Sequence, residues 1–470
     1  MRATLAFPLL FVSGGGAQAH AFAQRYDLPL PLWHYIVGAG ATVAISVLVA
    51  ALFARRNPRP APPLRMRISN GIARWIEVGL RLLGLASFAL LLAAGFLGEQ
   101  GDWDSNLLPV GVWVLWWVGL AFVVALVADM WPLLDPWRSI SLLLFRAGPS
   151  RDNAWLARLG AWPAVALFLG FAWAELVWTE NAAPRKLATL ITAASLLTWA
   201  GMALVGVEAW RRHCDAFGLF FRLFGSFAPL AASRDPHGIL LVLRPYGAGL
   251  KQDEPPSASF MAFVLLLLAS VAFDGINETP FWENIAGVIV GMLYEIGFVG
   301  AFGYGVAGAL IKTIGLLATP LVFALIFLTV SALTGRLCGQ SALLTARRHV
   351  LSLTPIAIAY HLAHYLSYLL IQGQAALPLL SDPLNLGWDL FGWRGREINI
   401  ALVDARFIWL SAVGSIIIGH VAAIFLAHQE ALRDSSGWSA VRRRWPMSIL
   451  MVVYTMLSLW ILSQPIIEVS

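Results

Sequence analysis

Apolar residues run along this chain in ten stretches of membrane-spanning length, and the polar residues between them segregate by sign. The stretches cover 33–53, 75–97, 107–128, 161–178, 187–207, 258–273, 315–333, 350–371, 407–427 and 447–467. Each approaches the ~20 residues a helix needs to cross a hydrocarbon core of about 30 Å, the sixth being short. Arginines gather in alternate loops: Arg55, Arg56, Arg59, Arg65 and Arg67, then 138–158, 211–251, 336–348 and 433–444. The opposite loops carry Asp102, Asp104, Glu180, Asp274, Glu278, Glu283, Asp382 and Asp389. Excess arginine marks the cytoplasmic side, which places the acidic loops and both mature chain ends outside. The expected fold is all-α, a polytopic transmembrane helical bundle.

Two stretches need separate treatment. Met1-Arg2, the short apolar run Leu5 to Val12 and Ala17-Gln18-Ala19 have the form of a signal peptide spanning 1–19. The mature 20–470 then reads as one integral membrane domain, with a cytoplasmic loop 208–257, an outer-face segment 274–314 and an outer loop 372–404. Glu283 to Lys312 is apolar and glycine-rich, yet a single crossing there would carry Arg336, Arg347 and Arg348 outside. It is read as a re-entrant or interfacial segment on the outer face, packed over the bundle through Gly287, Gly291, Gly300, Gly303, Gly305 and Gly308, with an extra pair of spans as the rival.

Composition agrees with the pattern. Hydrophobic residues make up 59% and charged residues 12% of the 470, and mean hydropathy is +0.74, beyond the soluble globular range. The formal charge of +6 fits arginines facing an anionic lipid surface and gives no reason to expect nucleic acid as a partner. Cys214 and Cys338 fall on the arginine-rich side, where thiols stay reduced, so no disulfide is expected. No Walker loop, dinucleotide fingerprint, CxxC, CxxCH or HExxH motif is present, and no internal repeat supports an inverted-repeat transporter. The 21 tryptophans, many near span ends, read mostly as an interfacial belt.

Ionisable groups inside spans are costly and therefore informative. His361 and His364 stand one turn apart in the eighth stretch, with Tyr368 and Gln372 continuing the stripe and Leu362, Leu366, Leu369 and Leu370 opposite. Two imidazoles at that spacing either share a metal ion or hydrogen-bond separately to facing helices. His420, beside Gly419 in the ninth stretch, either completes a three-histidine set or packs against a carbonyl. His428 reads as interfacial, and His213, His237 and His349 as solvated. His20, Asp27 and His34 form an alternative outer metal site. Near the outer mouth lie Asp274, Glu278 and Glu295, facing Gln372, Trp388 and Asp389. These are either capped turns or a wet cavity with acids above, histidines below and aromatic walls.

Several blocks extend this reading: Arg25 to Trp33, Phe273-Asp274-Gly275, Tyr360 to Tyr365, Gln372-Gly373-Gln374, Ser381-Asp382-Pro383, Gly387 to Gly392, Gly419-His420 and Tyr454 to Leu462. Together they resemble the bacterial membrane proteins called fenitrothion hydrolase. The resemblance runs from the mature N-terminus to the C-terminus and implies hydrolysis of an organophosphorus triester at the inner membrane, releasing a nitrophenol and a dialkyl thiophosphate. It carries no residue assignment. The roles therefore come from the residues themselves: a divalent ion such as zinc, copper or manganese on His361, His364 and His420 activates water, and Asp274 or Glu278 takes the proton. Tyr368, Gln372, Trp388, Asp389 and Glu295 are the expected substrate contacts, for a neutral apolar aryl organophosphate that partitions into the lipid bilayer. The alternatives are a metal-handling or transport protein with a buried histidine relay, and a membrane assembly factor; the oligomeric state is not legible in the sequence.

Overall fold

The computed structural model describes residues 28–53, 63–145, 154–236, 238–432 and 438–464. Among them eight helices are long and apolar enough to cross a membrane: Leu32–Ala50, Asn70–Leu97, Leu107–Leu126, Pro184–Val205, Ala258–Asn277, Phe298–Cys338, Ala405–Ala431 and Arg443–Ser463. Trp162–Leu176 is a shorter apolar helix, and Thr354–Gln372 supplies 19 residues. The protein is thus an all-α polytopic helical protein, as the hydropathy pattern predicts. Residues 1–19, read from the sequence as a signal peptide, and His20, Asp27 and His237 lie outside the described residues.

Two helices form the centre. Ala258–Asn277 is capped by Ser257, whose hydroxyl accepts from Phe260 N, and every residue from Phe263 to Phe273 is buried. Thr354–Gln372 packs along Ala405–Ala431, where Gly419 lies against Ala359 and the Pro355 carbonyl so closely that a side chain at 419 would collide with both. Small residues bring helices together in lipid, where dispersion contacts between backbones replace the hydrophobic drive. Ala405–Ala431 begins at Asp404, whose carboxylate accepts from Phe407 N at 2.6 Å. Such a cap satisfies one orphan donor and is worth about 1 kcal/mol.

The helix Leu107–Leu126 is π-helical from Val110 to Leu120. This wider winding turns Trp113 and Trp117 inward, 5% and 2% exposed. Trp131 and Trp409 are buried as well. These four are core residues: Trp113, Trp117 and Trp131 pack among Phe168, Phe171, Phe220 and Phe221, and Trp409 packs on Tyr35, where their large apolar rings gain from burial.

Residues 208–257 are not a plain loop. Ala216–Phe227 is a helix capped by Asp215, which accepts from Gly218 N at 2.7 Å, and Phe220, Phe221 and Phe224 at its inner face are fully buried. It is followed by a three-stranded antiparallel sheet in which Gly238–Leu243 pairs with both Leu64–Ser69 and Leu230–Asp235. His349, expected in solvent, is 1% exposed and bonds the Thr345 carbonyl at 2.8 Å, because its short helix Ala342–His349 tucks against the bundle.

The glycine-rich segment also differs from expectation. Pro280–Glu295 and Phe298–Cys338 are both helical, with a break at Gly303, φ 82°. At 1.5 Å per residue the stretch from Gly303 to Cys338 alone covers about 50 Å, well beyond a hydrocarbon core. Gly315 lies against Phe273 and Trp282 at the end of Ala258–Asn277, and Cys338 reaches Arg443 at the arginine-rich end. The residues just before Gly315 still meet the bundle, Thr313 Oγ1 accepting from the Trp173 indole at 2.9 Å and Ala309 packing beside Phe273. Pro280–Glu295, at 16 residues, is also too short for the rival pair of spans. None of Gly287, Gly291, Gly300, Gly303, Gly305 and Gly308 has an atom within 4 Å of where a side chain would start, so they do not pack the segment onto the bundle. Glu295 is consequently exposed, not buried in an apolar run.

Candidate functional site

Asp274 sits in the last turn of Ala258–Asn277, next to Gly275. A side chain at 275 would press on the Tyr360 hydroxyl and Ile461, so glycine is what lets Thr354–Gln372 approach. That approach brings together groups ninety residues apart. His364 Nε2 lies 2.8 Å from Asp274 Oδ2, and the Tyr365 hydroxyl donates to the same oxygen at 2.7 Å. The Tyr365 hydroxyl also lies 3.4 Å from Oε1 of Glu175 on Trp162–Leu176. Three helices thus meet at a carboxylate, an imidazole, a phenol and a second carboxylate. His364 and its ring neighbour Tyr365 are 1% and 4% exposed, whereas Asp274 keeps 14% of its side chain accessible, so the cluster is reached from the Asp274 side. Glu278, one turn on at the end of the same helix, is within electrostatic reach of His364 and Tyr360.

His361 has a different environment although it is one turn away. The rings of Trp117, Phe122, Phe220, Phe224 and Tyr365 surround it at centroid distances of 5.4, 5.7, 6.4, 5.9 and 4.8 Å. Neither of its ring nitrogens has a hydrogen-bond partner. The Tyr365 ring stands between the two histidines, touching His364 at 4.7 Å on its other flank. His420 is fully buried and spends Nδ1 on the Ile416 carbonyl at 2.8 Å, while its Nε2 has no partner. Among the described residues no three His, Cys, Asp or Glu side chains are grouped to hold a metal ion.

The expected substrate contacts are dispersed. Tyr368 is buried near the cluster's helix face at 7% exposure and Gln372 is half-buried. Trp388 is exposed in the outer loop. Asp389 accepts from the Ser381 hydroxyl at 2.6 Å and from Arg394 N, bonds that hold its carboxyl below the usual range. Asp382 likewise accepts from Leu386 N and Gly387 N. The outer-loop carboxylates are therefore occupied in shaping turns, as the plainer of the two sequence readings has it. His34 stacks on Trp33 at 3.6 Å in the first turn of its helix.

Glu175, Tyr365 and the aromatic surround of His361 were not singled out by sequence reasoning. A lone carboxylate in an otherwise apolar run, 161–178, was a usable signal for Glu175. No protein-family model, curated protein or solved structure matches this chain.

Proposed function

We propose that the protein is a membrane-embedded hydrolase of neutral organophosphorus triesters, with Asp274 as the group that takes a proton from water. The observation that carries the reading is the Asp274 carboxylate held by His364 and Tyr365 at 2.8 and 2.7 Å, with 14% of its side chain accessible and set within an apolar bundle. The sequence blocks resembling fenitrothion hydrolase supply the substrate class.

In this reading water attacks phosphorus as Asp274 accepts its proton, the new P–O bond forms, and the P–O bond to the aryl group breaks. The aryloxide leaves with the electron pair and takes up the proton, giving a nitrophenol and a dialkyl thiophosphate. General-base assistance of this kind contributes about 10²- to 10⁴-fold. His364 and Tyr365 act as positioning residues, fixing the carboxylate by donating to it, and Glu175 anchors Tyr365. A triester carries no charge, so no cationic clamp is required, and its entry from the lipid suits a site walled by aromatic rings. The arginine bias of the loops supports an outward-facing position for this end.

A bound divalent ion is a second reading, favoured by the partnerless imidazole nitrogens of His361 and His420. In its transport form those histidines relay a metal rather than serve hydrolysis. One preparation distinguishes the two: purified protein is assayed for nitrophenol release from an aryl triester and, in parallel, for metal content. Turnover above a detergent blank, proportional to protein, supports the hydrolase. Stoichiometric metal without turnover overturns it in favour of metal handling.

A further inference from the structure

At the arginine-rich end a cavity of about 160 Å³ opens between the start of the Ala216–Phe227 helix and the turn after Leu107–Leu126. Its polar walls are Arg211, Arg212, Arg222, Asp129 and Glu208, with Trp131 alongside. Glu208 is already shared by Arg211 at 3.4 Å and Arg138 at 3.7 Å. Asp215, which Arg222 faces together with Asp129, accepts from Gly218 N as a helix cap. The Arg212 side chain is exposed on the wall. Two buried polar atoms of lining residues, Arg211 Nε and Asp129 Oδ1, have no hydrogen-bond partner. Buried polar atoms left this way usually mark a missing water, ion or ligand.

We infer that this cavity binds a phosphate group, carried by an anionic phospholipid headgroup or free in solution. Three guanidiniums from one short stretch offer forked donors that match a tetrahedral oxyanion, and guanidinium is weakly enough hydrated to give up water for it. The volume holds about five waters' worth of liquid, enough for one phosphate with part of its shell. Glu208 does not repel the anion because it lies between two guanidiniums. Burial pushes the Asp129 carboxyl up to about 6, so below that pH it is protonated and can donate to a phosphate oxygen. Basic pockets between helices at the arginine-rich face of membrane proteins are where lipid phosphates lodge.

The test uses full-length protein in detergent. Equilibrium dialysis measures binding of radiolabelled inorganic phosphate, and native mass spectrometry counts phosphatidylglycerol retained after delipidation and after its addition back. Saturable binding of at least one probe is expected, weakened about tenfold or more by Arg212→Ala, the range expected for one charge-assisted pair. Phosphatidylglycerol that inorganic phosphate cannot displace identifies the lipid as the source; displacement in the other sense identifies free phosphate. Arg222→Gln gives a second variant, and because Arg212 is exposed its variant reads out even if Arg222→Gln does not fold. Absence of saturable binding in the wild type, or binding equal in wild type and Arg212→Ala, overturns the inference.

Discussion

Two clusters of buried and half-buried carboxylates lie at opposite ends of this bundle, and their partners differ in kind. Asp274 is held by an imidazole and a phenol, with Glu175 behind them. Asp129, Asp135 and Asp215 sit among Arg138, Arg211 and Arg222. Imidazole and phenol exchange protons, whereas guanidinium stays charged at any working pH. The first arrangement can therefore pass a proton to and from a substrate. The second holds a fixed field for an anion, and its guanidiniums supply no proton acceptor. Burial of a carboxylate alone does not mark a reaction centre; the chemistry of what surrounds it does.

The comparison is sharpened first at His364. His364→Gln is expected to lower turnover about 10- to 100-fold and to displace the pH–rate profile, because Asp274 loses the donor that fixes it; Tyr365→Phe is expected to lower it less. Steady-state kinetics across pH check this, and an unchanged profile in both variants would remove their positioning role. His361 gives the opposite result. Its imidazole makes no hydrogen bond inside an aromatic surround, so His361→Phe is expected to keep turnover and to raise stability by about 1 kcal/mol, since an unsatisfied buried polar group is removed. Thermal unfolding in detergent checks it, and a loss of activity with His361→Phe would point back to the metal reading.

At the arginine end the sign of the pH dependence follows from burial. Burial pushes the Asp135 carboxyl up to about 7, so the folded state binds a proton that the unfolded state has lost above about pH 4. Stability contributed there is present at low pH and falls as pH rises from about 4 to about 7. Unfolding temperatures at pH 5 and pH 8 should differ in that direction, and Asp135→Asn should shrink the difference. The smallest effect is expected at the exposed sheet edge, where Arg67 pairs with Asp235 at 2.8 Å. Asp235→Ala there should cost under about 1 kcal/mol, as surface pairs do, and an unfolding shift well beyond that would show the sheet to be a structural keystone.

Much of this was legible in the sequence because lipid imposes one-dimensional rules. Span length and the cost of ionisable groups picked out Leu32–Ala50, Pro184–Val205 and Ala405–Ala431, and flagged Asp274 and His364 before any pairing was known. What pairs with what was not legible: His361 and His364 share a helix face, yet only the meeting of Leu107–Leu126, Ala216–Phe227 and Ala258–Asn277 with that helix separates an aromatic surround from an acid partner. Ala216–Phe227 escaped notice because His213, Asp215 and Arg222 gave its neighbourhood the look of a solvated loop, while its phenylalanines at helical spacing were the better signal. The glycines of 283–312 misled for a related reason, since small residues permit close packing but do not supply a partner.

The central claim is that the Asp274 cluster performs proton transfer and the arginine-flanked cluster does not. Nitrophenol release by purified Asp274→Asn and Asp129→Asn, each compared with wild type at matched folding, tests it most directly. A loss of about 10²- to 10⁴-fold is expected for Asp274→Asn and near-normal turnover for Asp129→Asn. Turnover retained by Asp274→Asn, or lost equally in both, would contradict it.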